Sequence, residues 1–175
     1  MMFRGERSER ICSSLGAVRS RAMELESDSA AATERAARKV AVALRPGDVV
    51  LVEGDVGTGK TTFVRAACEA LGVREPVTSP SFTIGQSYAG DVPVSHLDLF
   101  RLDSLEGEDP SLLDDYLSPE AVVFVEWPAA GSREFQPERV VLRLALSHLG
   151  GDRRGIRATG RDDLIKRIES AVAPQ

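Results

Sequence analysis

The sequence predicts an α/β domain of three layers (α/β/α), in which helices flank a sheet that is partly parallel and partly antiparallel. Three observations lead to this fold class. Continuous apolar runs at residues 49–52 and 122–125 are typical of buried strands. Segments with helical patterning alternate with such runs. Residues 82–88 and 94–99 look like strands joined by a connection too short for a crossover helix, so they are expected to pair antiparallel.

The first half of the chain contains a helix, a strand and a second helix. Residues 27–44 are predicted to form an amphipathic helix with three candidate caps: Ser27, Asp28 and Ser29. Its apolar stripe recurs at four-residue spacing: Ala32, Ala36, Val40 and Leu44. Residues 48–53 are predicted to form a buried strand, and residues 60–71 a helix.

The second half adds more strands and a terminal helix. Residues 103–116 are polar and irregular, which indicates a short helix or a lid-like loop. Three further strands are expected after it: residues 122–126, 139–147 and 155–159. Residues 162–172 are predicted to form the last helix. In such a sheet the ligand binds at the carboxyl ends of the parallel strands.

The length of 175 residues and the apolar share of 42% are those of one ordinary globular domain. Residues 1–22 hold five arginines and two glutamates, a net charge of +3, and are expected to be a disordered Arg-rich extension. Residues 23–175 are expected to form a single domain. The net charge of −5 argues against a protein that grips nucleic acid mainly by electrostatic attraction.

A cytoplasmic location without membrane contact is expected. No apolar stretch approaches the roughly 20 residues of a membrane-spanning helix. The N-terminal segment lacks the apolar centre of a secretory signal. The two cysteines, Cys12 and Cys68, show neither metal-ligand spacing nor a disulfide framework, which fits a reducing compartment.

Residues 54–61 form a complete phosphate-binding loop, G-D-V-G-T-G-K-T, between a predicted strand and a predicted helix. Its glycines let consecutive N–H groups turn towards phosphate oxygens, and the helix start adds unpaired donors and partial positive charge. Lys60 is expected to reach the β- and γ-phosphates, and the Thr61 hydroxyl to bind Mg²⁺. A nucleoside triphosphate is therefore the predicted ligand. The expected contacts in this region are Asp55, Val56, Gly57, Thr58, Gly59, Lys60, Thr61 and Thr62.

Two carboxylates at strand ends are candidates for holding Mg²⁺ or orienting the attacking oxygen. Asp98 ends one predicted strand, and Glu126 ends a uniformly apolar one. The alternative for each is a carboxylate exposed where a strand emerges into solvent. Trp127 is interpreted as a wall of the nucleotide site or as a core aromatic. His96 is interpreted as a structural histidine rather than a catalyst.

The nucleotide base and the role of one loop are less sharply defined. The chain contains no asparagine, so the usual Asn-Lys-x-Asp motif that reads guanine is absent and ATP is favoured over GTP. The hydroxyl-rich segment at residues 78–83 either senses the γ-phosphate, as switch loops do, or forms a Ser/Thr turn.

Four motifs, in this order, resemble one protein family: G-D-V-G-T-G-K-T-T at residues 54–62, T-S-P-S-F-T at 78–83, H-L-D-L-F-R-L at 96–102 and V-E-W-P at 125–128. They are similar to the TsaE (YjeE) family, the ATPases of bacterial tRNA threonylcarbamoyladenosine biosynthesis. The resemblance spans nearly the whole chain apart from the N-terminal extension. The chain departs from the family pattern at Ser81 and Phe82, where S-P-T-Y-T is usual, and at Phe100, where tyrosine is more common.

The resemblance implies a cytoplasmic, Mg²⁺-dependent ATPase with a P-loop NTPase-like domain. Such proteins bind the TsaB–TsaD pair, which transfers a threonylcarbamoyl group to the adenosine beside the anticodon. Contact with tRNA is expected to be indirect, through that complex. Hydrolysis of ATP to ADP and phosphate is expected to be stimulated by the partners and to reset the complex.

The family pattern also implies residue roles. Lys60, Asp98 and Glu126 are the expected catalytic residues, and Thr61, Asp98 and Glu126 the expected metal ligands. Glu126 is expected to orient water and Asp98 to support Mg²⁺ through bound water, although these two roles are exchangeable. Two further nucleotide contacts are implied: Thr83 in the switch-like loop and Trp127 beside the site.

Two other functions remain open. A small-molecule kinase shares the phosphate loop but requires an acceptor pocket. A nucleotide-gated binding module would bind the nucleotide without hydrolysing it. The presence of both Asp98 and Glu126 favours an ATPase over the binding module.

Overall fold

The computed structural model describes residues 19–80, 83–101, 110–128, 135 and 138–172. These residues form seven strands and three α-helices: β1 (Ser20–Ser27), α1 (Ala30–Ala41), β2 (Val49–Glu53), α2 (Lys60–Ala70), β3 (Gly85–Tyr88), β4 (Val94–Asp98), β5 (Val122–Glu126), β6 (Val140–His148), β7 (Arg154–Arg161) and α3 (Asp162–Val172). A short 3-10 helix, Pro110–Leu113, lies between β4 and β5. Within the described ranges, no helix has the length and apolar character needed to cross a membrane.

The strands form one mixed sheet in the order β1-β7-β6-β2-β5-β4-β3. The four strands β6, β2, β5 and β4 run parallel to one another. β1, β7 and β3 pair antiparallel with their neighbours. The antiparallel pairing expected from the short β3–β4 connection is confirmed. The carboxyl ends of the four parallel strands therefore lie along one edge of the sheet.

The core has two parts, one on each face of the sheet. β2 is buried on both faces except at its last residue, and β5 along its whole length, as their continuous apolar runs predict. All three α-helices pack on one face, against side chains such as Val50, Val52 and Phe124. The other face of β2, β4 and β5 packs against Leu113 and its neighbours, at the end of the 3-10 helix. In the described part of the chain, the layer on that second face thus contains a 3-10 helix and no α-helix.

Helix α1 is shorter than predicted and buries a different stripe. Its cap is Ser29, whose hydroxyl accepts a hydrogen bond from the backbone N–H of Ala32. Of the predicted stripe, Val40 and Leu44 are buried and Ala36 is partly buried against the core, whereas Ala32 lies outside it. The buried residues are Thr33, Ala37, Val40 and Ala41. A turn of α-helix contains about 3.6 residues, so a buried face alternates steps of three and four rather than repeating every fourth residue.

Strand β1 was not predicted. It pairs with β7 along its full length, from Ser20 opposite Arg161 to Ser27 opposite Arg154. Residues 20–22, assigned from the sequence to the disordered extension, therefore belong to the sheet, and the domain begins before the predicted boundary at residue 23. The strand has only two partly buried apolar residues, Met23 and Leu25, which is too weak an alternation to detect. The rest of the predicted extension, residues 1–18, lies outside the described residues.

Other boundaries differ by a few residues. β3 begins at Gly85, and residue 82, the first of the predicted strand, lies outside the described part. Of the predicted short helix or lid-like loop, residues 103–109 also lie outside it, and the described remainder contains the 3-10 helix. β7 extends the predicted strand by one residue at its start and two at its end, and this longer strand pairs with both β6 and β1.

Candidate functional site

The phosphate-binding loop connects β2 to α2 and depends on glycine at two points. Gly54 has φ +139°, and a Cβ there would lie 2.3 Å from the carbonyl oxygen of Leu146 in β6. Gly59 caps α2 in the left-handed region, with φ +98°. A side chain would clash at the first position and strain the backbone at the second. The loop is therefore held against β6, with the first turn of α2 at its end.

Hydrogen bonds inside the loop fix its shape. The buried Thr58 hydroxyl donates to the carbonyl oxygen of Asp55 at 2.8 Å. Lys60 Nζ donates to the carbonyl oxygens of Gly54 and Asp55, at 2.8 and 2.9 Å. The side chain of Val56 is 71% exposed. Val56 thus faces solvent, and the Lys60 side chain folds back onto the loop backbone.

Trp127 covers the ammonium group of Lys60. The lysine Nζ lies 3.9 Å from the centroid of the indole ring, within the range of a cation–π contact. Trp127 has φ +55°, uncommon for a bulky residue, and its N–H donates to the carbonyl oxygen of Val52 at 3.2 Å. Phe100 packs on the indole with ring centroids 4.8 Å apart. The unusual backbone of Trp127 thus turns its ring over the lysine.

Burial is the largest influence on the Lys60 ammonium, and it lowers the pKa of this group below its ordinary value. The negative charges of Glu126, Asp98 and Asp55 act in the opposite direction and raise the pKa. The three carboxylates therefore offset part of the cost of holding a charged lysine in a site shielded from water.

Glu126 lies at the centre of the site. Its side chain is buried and shares the helix-bearing face with Phe124, two residues earlier in β5. The Thr61 hydroxyl donates to Glu126 Oε2 at 3.1 Å. His96 Nε2 lies 3.0 Å from Glu126 Oε1. Both carboxylate oxygens thus have partners, and one of these partners is the hydroxyl predicted to bind Mg²⁺.

Asp98 lies directly opposite Glu126 in the register of the parallel strands β4 and β5. It is only half-buried, and its partners are different. The Ser79 hydroxyl makes a short hydrogen bond to Asp98 Oδ2, and the backbone N–H of Phe100 donates to Oδ1 at 3.1 Å. Asp98 therefore links the strand end to the loop that contains residues 77–80.

The structure brings several of the predicted site residues together. Lys60, Thr61 and Trp127 meet around Glu126 at the carboxyl end of β5, and Asp98 lies on the next strand. Thr62 lies half-buried in the first turn of α2. Thr83 is exposed, and its hydroxyl donates to the carbonyl oxygen of Gly85 at 2.9 Å. The next residue, Ile84, accepts a hydrogen bond from the backbone N–H of Asp98 at 2.9 Å.

Two residues of this arrangement were not among the predicted site residues. His96, interpreted from the sequence as structural, contacts Glu126 directly. A signal was present: His96 stands two residues before Asp98 in one strand, which places both on the same face. Ser79 belongs to the hydroxyl-rich segment at residues 78–83, but a loop residue has no periodicity that fixes the direction of its side chain.

The oxygen donors present are suited to Mg²⁺ shared with phosphate. Mg²⁺ prefers oxygen ligands and is commonly held by one or two carboxylates together with substrate phosphates. Thr61 and Glu126 meet this requirement beside the phosphate loop, with Asp98 next to them. Over the described ranges, no group of three or more His, Cys, Asp or Glu residues is arranged to hold a metal ion by itself.

Comparison with known proteins identifies the family. Residues 27–156 match the family described as "Threonylcarbamoyl adenosine biosynthesis protein TsaE". The chain belongs to the TsaE family. The resemblance carried by the four sequence motifs is confirmed, and with it the assignment to tRNA threonylcarbamoyladenosine biosynthesis.

Individual relatives agree with this assignment. The chain is 38% identical over 128 residues to the "tRNA threonylcarbamoyladenosine biosynthesis protein TsaE" of Bacillus subtilis, covering 73% of this chain and 78% of that protein. The protein of the same name from Streptomyces coelicolor is 36% identical over 128 residues, covering 70% and 86%. The crystal structure of Bacillus subtilis YdiB superposes with a TM-score of 0.70 at 29% identity, covering 86% of this chain and 96% of that one. The predicted fold class is thereby confirmed.

Proposed function

We propose that this TsaE-family protein binds and hydrolyses ATP with Mg²⁺ to support the TsaB–TsaD threonylcarbamoyltransferase in tRNA modification. The observation that carries the proposal is the hydrogen bond between Thr61 and Glu126. It joins the end of the phosphate loop to the acid of the neighbouring strand, beside Lys60. A turn that merely connects a strand to a helix has no need of a buried carboxylate at this point.

The nucleotide phosphates are proposed to lie against the loop and the start of α2, where helix N–H groups lack partners within the helix. Lys60 supplies positive charge to the β- and γ-phosphates. Trp127, over the lysine, forms one wall of the site. Thr83 belongs to this set if the loop before β3 closes on the nucleotide.

Thr61, Glu126 and Asp98 are proposed to hold Mg²⁺. The metal would neutralise charge that develops on the phosphate oxygens. The contact with Thr61 supports a place for Glu126 at the metal, and Asp98 lies opposite it on the next strand. Whichever of the two acids orients the attacking water, the other completes the surroundings of the metal.

The deciding measurement is the rate of ATP hydrolysis by the purified protein, alone and with TsaB and TsaD. We expect the pair to stimulate hydrolysis. Lys60→Ala should lower the stimulated rate by about 10²–10³-fold, the usual cost of removing one preorganised charge-stabilising group.

Two results would contradict the proposal. Wild-type rates in Lys60→Ala would reject the phosphate-loop assignment. A rate of hydrolysis that is the same with and without TsaB and TsaD would favour the kinase alternative. A kinase would transfer the γ-phosphate to a small-molecule acceptor. Liquid chromatography of the products distinguishes free phosphate from a phosphorylated acceptor.

A further inference from the structure

His96 combines complete burial with an incomplete set of hydrogen bonds. Its side chain has no exposed surface, and its Nε2 lies 3.0 Å from Glu126 Oε1. The other ring nitrogen, Nδ1, is buried and has no hydrogen-bond partner among the described residues. In the sheet, His96 lies between Gln86 of β3 and Phe124 of β5.

Packing alone does not account for an imidazole at this position. A buried polar atom without a partner is destabilising, and an apolar side chain of similar size would fill the space without that cost. The neighbouring residues Ser95 and Leu97 are also buried. Position 96 therefore does not face solvent, and hydration does not explain a polar side chain there. The feature that an aliphatic side chain could not reproduce is the contact between Nε2 and Glu126.

The direction of this hydrogen bond follows from the chemistry of the carboxylate. An ionised carboxylate only accepts hydrogen bonds, so Nε2 must carry a proton, and in a neutral imidazole Nδ1 is then bare. Glu126 is then held at both oxygens, by His96 at Oε1 and by the Thr61 hydroxyl at Oε2. Two donors on different elements, β4 and α2, fix both the position and the plane of the carboxylate.

We infer that His96 is a positioning residue for ATP hydrolysis, whose Nε2–H orients Glu126 so that Oε2 faces Thr61 and the phosphate loop. This inference rests on the proposed function. In this arrangement His96 acts through its contact with Glu126. Its loss should therefore lower the rate of the chemical step and leave nucleotide binding intact.

The test compares three variants in the stimulated ATPase assay. His96→Leu removes the hydrogen-bond donor and fills the space with an apolar side chain. The kcat of this variant should fall by about 10–100-fold, the usual effect of losing a residue that orients a metal ligand. Its KM should change by less than about twofold. His96→Gln returns an N–H donor of similar reach and should recover most of kcat. Ser95→Ala is the matched control on the same strand, because Ser95 is buried on the opposite face and bonds only weakly to Ser87 at 3.4 Å. It should leave kcat unchanged.

Two outcomes would overturn the inference: an unchanged kcat in His96→Leu, or a His96→Gln variant that folds normally yet is as slow as His96→Leu. A purely structural role predicts that kcat follows thermal stability across all three variants.

A second measurement is independent of catalysis. The imidazole ¹⁵N signals of the wild-type protein should show a protonated Nε2 and a bare Nδ1. If the wild type hydrolysed no ATP, the proposed function would fail, whereas the opposite tautomer would reject the orientation of Glu126 itself.

Discussion

Glu126 and Asp98 occupy matching positions at the ends of neighbouring parallel strands, yet their surroundings differ. Glu126 is 1% exposed and contacts a helix residue and a strand residue, Thr61 and His96. Asp98 is half-buried and contacts a loop hydroxyl, Ser79, and the backbone of Phe100. One acid is held by the rigid core of the domain, and the other by a connecting segment.

The difference follows from where each strand lies in the sheet. β5 lies between β2 and β4, both parallel to it, so the carboxyl end of β5 faces the first turn of α2. β4 has the antiparallel strand β3 as its other neighbour, and the chain entering β3 passes by its carboxyl end. Loops move more readily than strands and helices. Glu126 is therefore suited to a fixed catalytic geometry, and Asp98 to responding to the loop.

Replacing the rigidly held acid should have the largest effect. Glu126→Ala should lower kcat by about 10²–10⁴-fold, the usual contribution of a positioned proton acceptor, and retain nucleotide binding. It also leaves the buried His96 Nε2–H without a partner, which should cost about 1–3 kcal/mol of the free energy of unfolding. Steady-state kinetics, calorimetric ATP titration and thermal denaturation measure the three quantities.

A matched control is available at the end of β2. Glu53 also ends a strand, but its side chain is exposed and pairs with Arg143 at 3.5 Å. Glu53→Ala should therefore leave kcat unchanged. If Glu126→Ala kept wild-type turnover, another residue would have to orient the water.

Replacing the acid held by the loop should have a smaller effect. Asp98→Ala removes a charged group whose hydrogen bonds are worth about 1.5–3 kcal/mol, which corresponds to about 10–100-fold in rate. Because Asp98 is half-exposed, water can replace part of what it supplies. The assay is the same, with a titration of Mg²⁺ to detect weaker metal dependence. A loss larger than that of Glu126→Ala would reverse the ranking of the two acids.

Much of the central sheet could be predicted because burial dictates its pattern. The uniformly apolar β2 and β5 have no polar side to expose, so their strand character follows from composition. The edge strand β1 was not predicted because most of its residues are exposed and several are charged, such as Glu24 and Glu26. Its strand conformation comes from pairing with β7, and this long-range contact leaves little trace in the local sequence.

The site was predictable where a motif fixes backbone geometry, and less so where contacts cross the fold. The loop glycines and Lys60 follow from spacing, since the phosphate-binding turn tolerates few alternatives. The His96 contact depends on the offset between β4 and β5, which sequence alone does not give. The Ser79 contact depends on the path of a loop. Both therefore required the structure.

The link between Asp98 and the loop can be tested directly at Ser79. Ser79→Ala removes the donor to Asp98 Oδ2 and should lower kcat by about two- to tenfold, the effect of one hydrogen bond. In a double-mutant cycle, Ser79→Ala should add little once Asp98 is already alanine, because the two side chains act as one unit. Fully additive losses would show that Ser79 acts on the nucleotide independently of Asp98.

Thr83 gives the smallest expected effect and separates two descriptions of the loop. Its hydroxyl donates to the Gly85 carbonyl oxygen at 2.9 Å and lies at the surface. In this conformation Thr83→Ala should change ATP affinity and kcat by less than about twofold, as exposed substitutions usually do. The family resemblance, however, implies that Thr83 contacts the nucleotide. A loss greater than that of Ser79→Ala would mean that the loop rearranges when ATP binds and brings the Thr83 hydroxyl onto the nucleotide. Asp98 contacts the same loop through Ser79, so its surroundings would then change when ATP binds. Glu126 would keep its contacts with Thr61 and His96.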